Sequence, residues 1–167
     1  MEQTGNLLVQ KIISKFIENE FIDNKHLDFS KTPEYRSFIN CCHNDKANVY
    51  LQFGLFSYAD IARETDNIVR SLGLGQTYRT YLKDLDKSYK PNFALIIYQI
   101  LILISNINGS ISDASNIKLL KVSYIKIFES YKDEELSPIL PSIFSFTKDI
   151  FFRLDEYAFK WEFANGK

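Results

Sequence analysis

The segment NFALIIYQILILISNI, residues 92–107, is the most apolar stretch of the chain and limits the folds open to it. Its apolar core, from Phe93 to Ile104, is shorter than the roughly 20 residues that a membrane span requires. Strands usually stop at about 5 to 8 residues, so a buried strand is the less favoured alternative. Pro91 before it and Asn108-Gly109 after it are helix start and stop signals. The segment is therefore predicted to be a core helix, apolar on all sides because other helices surround it.

Most of the remaining chain repeats its apolar residues at intervals of three and four, which is the period of amphipathic helices. Thr32 and Ser57 are good N-caps, and Gly73 is a typical helix stop. Helices are predicted over residues 7–23, 33–42, 57–72, 78–89, 117–131 and 143–161, with a weaker pattern over 46–56. No composition shift or fixed-period repeat divides the chain. Residues 1–167 are therefore predicted to form a single all-α domain, an irregular bundle of about seven helices around a central apolar helix.

Charge and cysteine content exclude several classes of protein. The chain carries 20 basic and 21 acidic residues, a net charge of −1, whereas a dedicated nucleic-acid binder usually has a large positive excess. Its two cysteines, Cys41 and Cys42, are neighbours and imply no disulfide framework. The N-terminal residues lack the pattern of a secretory signal. We expect a cytoplasmic protein with no membrane partner.

The run Cys41-Cys42-His43 is the obvious candidate for a metal or catalytic site. Successive residues of a helix point about 100° apart, so these three side chains cannot converge on one ion. Cys42 also shares the apolar face of Tyr35 and Phe38, which favours a core position. Serine-nucleophile, phosphate-loop and paired-histidine motifs are absent. The sequence predicts a non-enzymatic protein without a metal or cofactor.

Residues 57–90 keep a nucleic-acid function open as the alternative. Tyr58 to Leu72 faintly resembles a helix-turn-helix with Asp66 at the turn, although a single amphipathic helix explains the stretch better. A basic stripe beside several tyrosines follows at spacings of four, four and three residues: Arg79, Lys83, Lys87 and Lys90. A solvated helix face is the more common explanation of such a stripe. The alternative function is a small nucleic-acid-binding regulator that uses this region.

Aromatic residues on the last predicted helix provide the first candidate partner-binding residues. Phe144, Phe152, Phe159 and Phe163 lie off its main apolar face. A helix with two apolar stripes is either buried on both sides or exposes an aromatic patch, and such patches mark protein partners. Both interpretations stay open. Phe159 and Phe163 are taken as candidate partner-binding residues.

Two acidic clusters provide the others. Glu18, Glu20 and Asp23 close the first predicted helix, and Asp133, Glu134 and Glu135 close the sixth. An acidic group at a helix C-terminus opposes the helix dipole, so the fold does not require it there. Plain solubility is one explanation, and contact with a basic partner is the other.

The whole chain resembles the small helical immunity proteins of bacterial contact-dependent toxin systems. The resemblance rests on features such as ENEFID at 18–23, KDEELS at 132–137 and the FFRLDEYAFKWEF ending at 151–163. It implies a cytoplasmic protein that neutralises one cognate toxin, often a nuclease, by covering its active site. The favoured function is accordingly a non-enzymatic protein-binding protein whose partner is a cognate toxin domain.

Overall fold

The computed structural model describes residues 2–43 and 57–165, with the side chains of the first helix described from Val9 onward. Every regular element in this part of the chain is helical, and a lone antiparallel bridge joins Asp28 to Ser110. The all-α prediction is confirmed, and the helix predicted over 46–56 lies outside the described residues. The described residues form eight α-helices: α1 (Glu2–Ile17), α2 (Pro33–Cys42), α3 (Tyr58–Ser71), α4 (Gly75–Asp84), α5 (Lys90–Ser105), α6 (Ala114–Glu129), α7 (Asp133–Leu136) and α8 (Leu140–Asn165).

Local signals in the sequence set several of these boundaries. The Thr32 hydroxyl accepts a hydrogen bond of 3.1 Å from the backbone N–H of Tyr35, at the start of α2. Ser57 and Asp60 form a reciprocal capping box at the start of α3, with bonds of 3.2 and 3.3 Å. After α3, Gly73 has a φ of +74°, a left-handed conformation that glycine adopts without a steric penalty. The predicted N-caps and the predicted stop are confirmed.

Helix α5 is the centre of the bundle, as predicted from its apolar run. It packs against α2, α3, α6 and α8, and no residue from Asn92 to Ser105 is exposed. By length and composition alone, Lys87–Ser105 is the one segment among the described residues that meets the criterion for a membrane span. Half of that segment is buried inside the domain, and a core helix meets the same criterion.

The predicted helix over 78–89 is divided in two. Helix α4 ends at Asp84, and Leu85 takes an extended conformation. The Asp86 carboxylate then accepts a 3.0 Å hydrogen bond from the backbone N–H of Lys87 and begins a separate 3₁₀ turn, Lys87–Tyr89. Aspartate side chains commonly compete with a helix in this way because they offer the backbone a local alternative partner.

A π-helical turn, Glu18–Ile22, continues α1 and brings it against α8. Aromatic side chains join the two helices along this contact. The rings of Phe16 and Phe144 stack with centroids 4.3 Å apart, and Phe21 meets Phe151 edge-on at 4.7 Å. Such pairs add stabilisation beyond the apolar area they bury. This packing fixes the position of the turn beside the middle of α8, which is where the candidate site lies.

Candidate functional site

Three phenylalanines on the outer face of α8 are the most exposed large apolar side chains in the described part of the chain. Phe152 is 72% exposed, Phe159 63% and Phe163 82%. They follow one another at spacings of seven and four residues, which places them on one face of a helix. We call these three residues the phenylalanine ridge. The fourth residue of the predicted stripe, Phe144, is half-buried against Phe16, so burial on both sides explains Phe144 and not the ridge.

The other faces of α8 are used by the fold, which is why the ridge faces outward. Ile150, Leu154 and Ala158 are buried in the core. On one flank, Arg153 and Tyr157 donate hydrogen bonds of 3.1 and 2.8 Å to the carbonyl oxygen of Leu72, at the end of α3. These contacts hold the helix in one orientation and leave its fourth face open.

The opposite flank of α8 holds the first predicted acidic cluster. We call residues 18–23, which carry Glu18, Glu20 and Asp23, the acidic turn. The Glu20 carboxylate pairs with Lys148 of α8 at 3.2 Å, so its charge is compensated inside the molecule. Glu18 and Asp23 are exposed, and no ion pair joins them to another described residue. Lys148 precedes Phe152 by one helical turn, so the acidic turn lies near Phe152, the first residue of the phenylalanine ridge.

A histidine, His26, connects the acidic turn to α8, and this structural role was not predicted. Its Nδ1 lies 2.6 Å from Oδ2 of Asp155, and its Nε2 lies 2.6 Å from the carbonyl oxygen of Glu20. Burial of the ring opposes its charge and lowers the pKa, but the hydrogen bonds to Asp155 and Glu20 outweigh burial, and the pKa of His26 lies above 6.5. No pattern in the sequence could pair residues 26 and 155, because their contact arises only when α8 packs against the turn.

The Asp155–His26 pair has the orientation seen in a catalytic triad, but the rest of the site does not fit that chemistry. In a triad, the second ring nitrogen faces a nucleophile and accepts its proton. Here Nε2 faces the backbone carbonyl of Glu20 instead. Ser110 also bonds the backbone carbonyl of His26, not its ring. The arrangement ties chain segments together and presents no activated nucleophile.

The second predicted acidic cluster lies elsewhere and is placed differently from the prediction. Asp133, Glu134 and Glu135 do not close the sixth helix; they form the first turn of α7. The Glu135 carboxylate accepts a 3.0 Å hydrogen bond from the backbone N–H of Lys132. Acidic groups at a helix N-terminus interact favourably with the helix dipole, so the stability of α7 explains this cluster. Helix α7 precedes the N-terminus of α8, and Phe152 lies about 18 Å from that N-terminus along the helix axis.

Of the run Cys41-Cys42-His43, only Cys42 is a core residue, since Cys41 is partly buried and His43 is exposed. Cys42 is fully buried, and burial raises the pKa of its thiol, so it is not a thiolate nucleophile. Across residues 2–43 and 57–165, no three His, Cys, Asp or Glu side chains are grouped closely enough to hold a metal ion. An open groove of about 380 Å³ between α5 and α6 has Lys126 as its single charged lining residue, so it lacks an acid–base pair.

The structure contains neither the helix-turn-helix nor the continuous basic stripe on which the nucleic-acid alternative rested, within the described residues. Helix α3 runs without interruption through Asp66, where a helix-turn-helix would turn, so the single-helix interpretation is confirmed. The predicted basic stripe is divided among α4, the 3₁₀ turn and α5, and Arg79 is bonded to Asp66 at 3.2 Å. The four basic residues therefore do not form one helix face.

The phenylalanine ridge and the neighbouring acidic turn therefore form the candidate binding surface among the described residues. Of the predicted residues, this surface contains Phe159, Phe163, Glu18 and Asp23, with Glu20 paired internally and Asp133 to Glu135 at a distance. It also contains Phe152, which was seen in the sequence as part of the stripe, and Ile22, which the sequence analysis missed. No known protein family, curated protein or solved structure matches this chain.

Proposed function

We propose that this chain is a non-enzymatic cytoplasmic protein that binds another protein through the phenylalanine ridge. The best candidate is an immunity protein that neutralises a cognate bacterial toxin domain by covering its active site. The exposure of Phe152, Phe159 and Phe163 on one face of an anchored helix is the observation that supports the proposal. Apolar patches of this kind on small domains are a mark of protein-binding surfaces.

The anchoring of α8 makes the ridge well suited to binding. Arg153 and Tyr157 fix one flank of the helix, and Lys148 and Asp155 fix the other. Binding therefore orders little backbone, and the entropic cost of association stays low. Buried aromatic anchors of this type commonly carry most of the binding free energy of an interface.

The acidic turn favours a basic partner. Glu18 and Asp23 are exposed beside the ridge, and Ile22 between them adds apolar surface. Rim charges of this kind speed the encounter with an oppositely charged protein more than they add to the final affinity. A domain that cuts nucleic acid needs a basic surface for its polyanionic substrate. An acidic edge beside an aromatic anchor is a suitable cover for such a surface.

The proposal is tested with a ridge variant that carries Phe152→Ser, Phe159→Ser and Phe163→Ser. Tagged wild type, the ridge variant and Glu134→Lys, which changes the remote acidic cluster, are purified from the native cell. The expected result is one basic protein that is retained by wild type and Glu134→Lys and is lost from the ridge variant. Growth of cells that produce this protein should depend on the wild-type chain and not be rescued by the ridge variant.

Association and dissociation rates measured with the captured protein then distinguish the role of the phenylalanine ridge from that of the acidic turn. Phe159→Ala should speed dissociation about tenfold or more, as expected for an anchor worth at least 1.4 kcal/mol. Glu18→Lys with Asp23→Lys should slow association and weaken its salt dependence. Glu20 is left unchanged because its reversal would break the ion pair to Lys148. A ridge variant that binds and protects like wild type would refute the proposal.

A further inference from the structure

His26 bonds both of its ring nitrogens to groups that only accept hydrogen bonds. Nδ1 meets the Asp155 carboxylate and Nε2 meets the Glu20 carbonyl, each at 2.6 Å. A neutral imidazole has a single N–H and can satisfy only one of these acceptors. The geometry therefore matches the doubly protonated, positively charged ring, whose side chain is only 8% exposed.

The surroundings of the ring hold this charge in place. The Leu27 backbone N–H donates to the second oxygen of Asp155 at 3.2 Å, and the backbone N–H of His26 donates to the Ser112 hydroxyl at 3.1 Å. The rings of Phe21 and Phe151 lie about 6 Å away and limit the access of water. Two acidic groups lie around His26 from the elements packed against it: Asp155 of α8, and Glu20 of the acidic turn, which is paired with Lys148 of α8. The loop of His26 itself adds Asp28, and the loop before α6 adds the hydroxyl groups of Ser110 and Ser112.

We infer that the His26–Asp155 bond is a pH-sensitive latch, which holds the acidic turn tightly against α8, beside the phenylalanine ridge, while His26 is protonated and loosens that contact as the pH rises. Asp155 lies between Phe152 and Phe159 in sequence, one turn from each, so the latch joins the helix that carries the ridge to the turn that carries Glu18 and Asp23. The biological use of the latch rests on the proposed function, since the latch would set the position of the acidic turn relative to the phenylalanine ridge.

The direction of the pH dependence follows from the bonds. The pKa of His26 is raised above 6.5 in the folded protein. The contribution of protonated His26 to the stability of the fold is therefore complete below about pH 6.5, and it is lost as the pH rises through the pKa of the folded state. Loss of the proton leaves a ring lone pair facing either the Asp155 carboxylate or the Glu20 carbonyl. One of the two bonds then becomes repulsive, so the turn is held less firmly to α8, while the Phe21–Phe151 contact and the Glu20–Lys148 pair remain.

Amide hydrogen exchange of the free protein tests the latch. Exchange over residues 18–28 is measured from pH 5.5 to 8.5 and corrected for the intrinsic pH dependence of exchange, with α3 as the internal reference. Wild-type protection at 18–28 should fall about tenfold across this range, while that of α3 stays constant. Such a change corresponds to about 1.4 kcal/mol, within the range for hydrogen bonds to charged groups.

Two neighbouring variants serve as a matched pair. Asp155→Asn removes the charge that the latch needs and should leave residues 18–28 exchanging fast at every pH. Glu156→Gln changes the adjacent carboxylate, which pairs only with Arg153 among the described residues, and should behave like wild type. If Asp155→Asn also loses protection in α3, it has unfolded, and His26→Gln replaces it with the same expectation of a profile independent of pH.

A wild-type profile that is flat after correction would overturn the latch, as would equal effects of Asp155→Asn and Glu156→Gln. Because the measurement uses the free protein, either result leaves the binding role of the ridge untouched. Conversely, loss of the proposed partner interaction would not alter the exchange profile. The two proposals therefore fail separately.

Discussion

The two apolar helices α5 and α8 use their side chains in opposite ways. Helix α5 has no exposed residue from Asn92 to Ser105, because α2, α3, α6 and α8 cover it. Helix α8 is longer, with 26 residues, and alternates buried residues with polar anchors and an exposed ridge. Its core face and both flanks are occupied, and its fourth face is not.

The difference shows where apolar composition serves the fold and where it does not. In α5 the apolar residues are used mainly for packing, and none of them between Asn92 and Ser105 is exposed, so the helix offers a partner little apolar surface. In α8 the fold already has its core face in Ile150, Leu154 and Ala158. The free energy of folding gains little from Phe152, Phe159 and Phe163, which remain mostly in water. Their presence calls for an explanation outside the fold, and partner binding supplies one.

The largest effect is expected from a charge in α5. Leu101 is fully buried, and an unpaired buried carboxylate costs several kcal/mol, a large share of the roughly 5–15 kcal/mol that holds a domain together. Leu101→Asp should therefore unfold the protein, as seen by circular dichroism. Phe152→Asp is the matched change on the ridge and should keep a melting curve close to wild type. If both variants melted alike, the contrast between α5 and α8 would be wrong.

A smaller and sharper test lies within α8 itself, where adjacent phenylalanines have opposite environments. Phe151 is 2% exposed and Phe152 is 72% exposed. Phe151→Ala should lose about 3 to 5 kcal/mol through cavity formation, whereas Phe152→Ala should stay within about 0.5 kcal/mol of wild type. Chemical denaturation measures both. A comparable loss in Phe152→Ala would mean that the ridge is covered in the free protein, for instance by a second copy of the chain.

The sequence predicted the helices well, but it could locate the exposed residues of the candidate site only in part, for physical reasons. Helical period and caps are local signals, so α2, α3 and α5 were predicted close to their observed bounds. Exposure of the ridge is not local: the spacing of the phenylalanines showed a second stripe but not whether another helix would cover it. Phe144 and Phe152 belong to the same stripe, and only packing against Phe16 separates them. The acidic run at Asp133 was misplaced because a four-residue helix gives no periodic signal.

The smallest expected effect concerns the contact that anchors α8 to the end of α3. Gly73 has a φ of +74°, and a Cβ there would lie 2.5 Å from the Arg153 guanidinium, which bonds the carbonyls of Leu72 and Gly73. Gly73→Ala should lose about 1 to 3 kcal/mol, partly from the left-handed backbone and partly from displacement of Arg153. Repeating the substitution in an Arg153→Ala background removes the contribution from the displacement of Arg153. The loss should shrink there to the backbone cost of about 1 to 2 kcal/mol. An unchanged loss would mean that displacing the Arg153 guanidinium costs little, so that its bonds to the Leu72 and Gly73 carbonyls add little to the anchoring of α8.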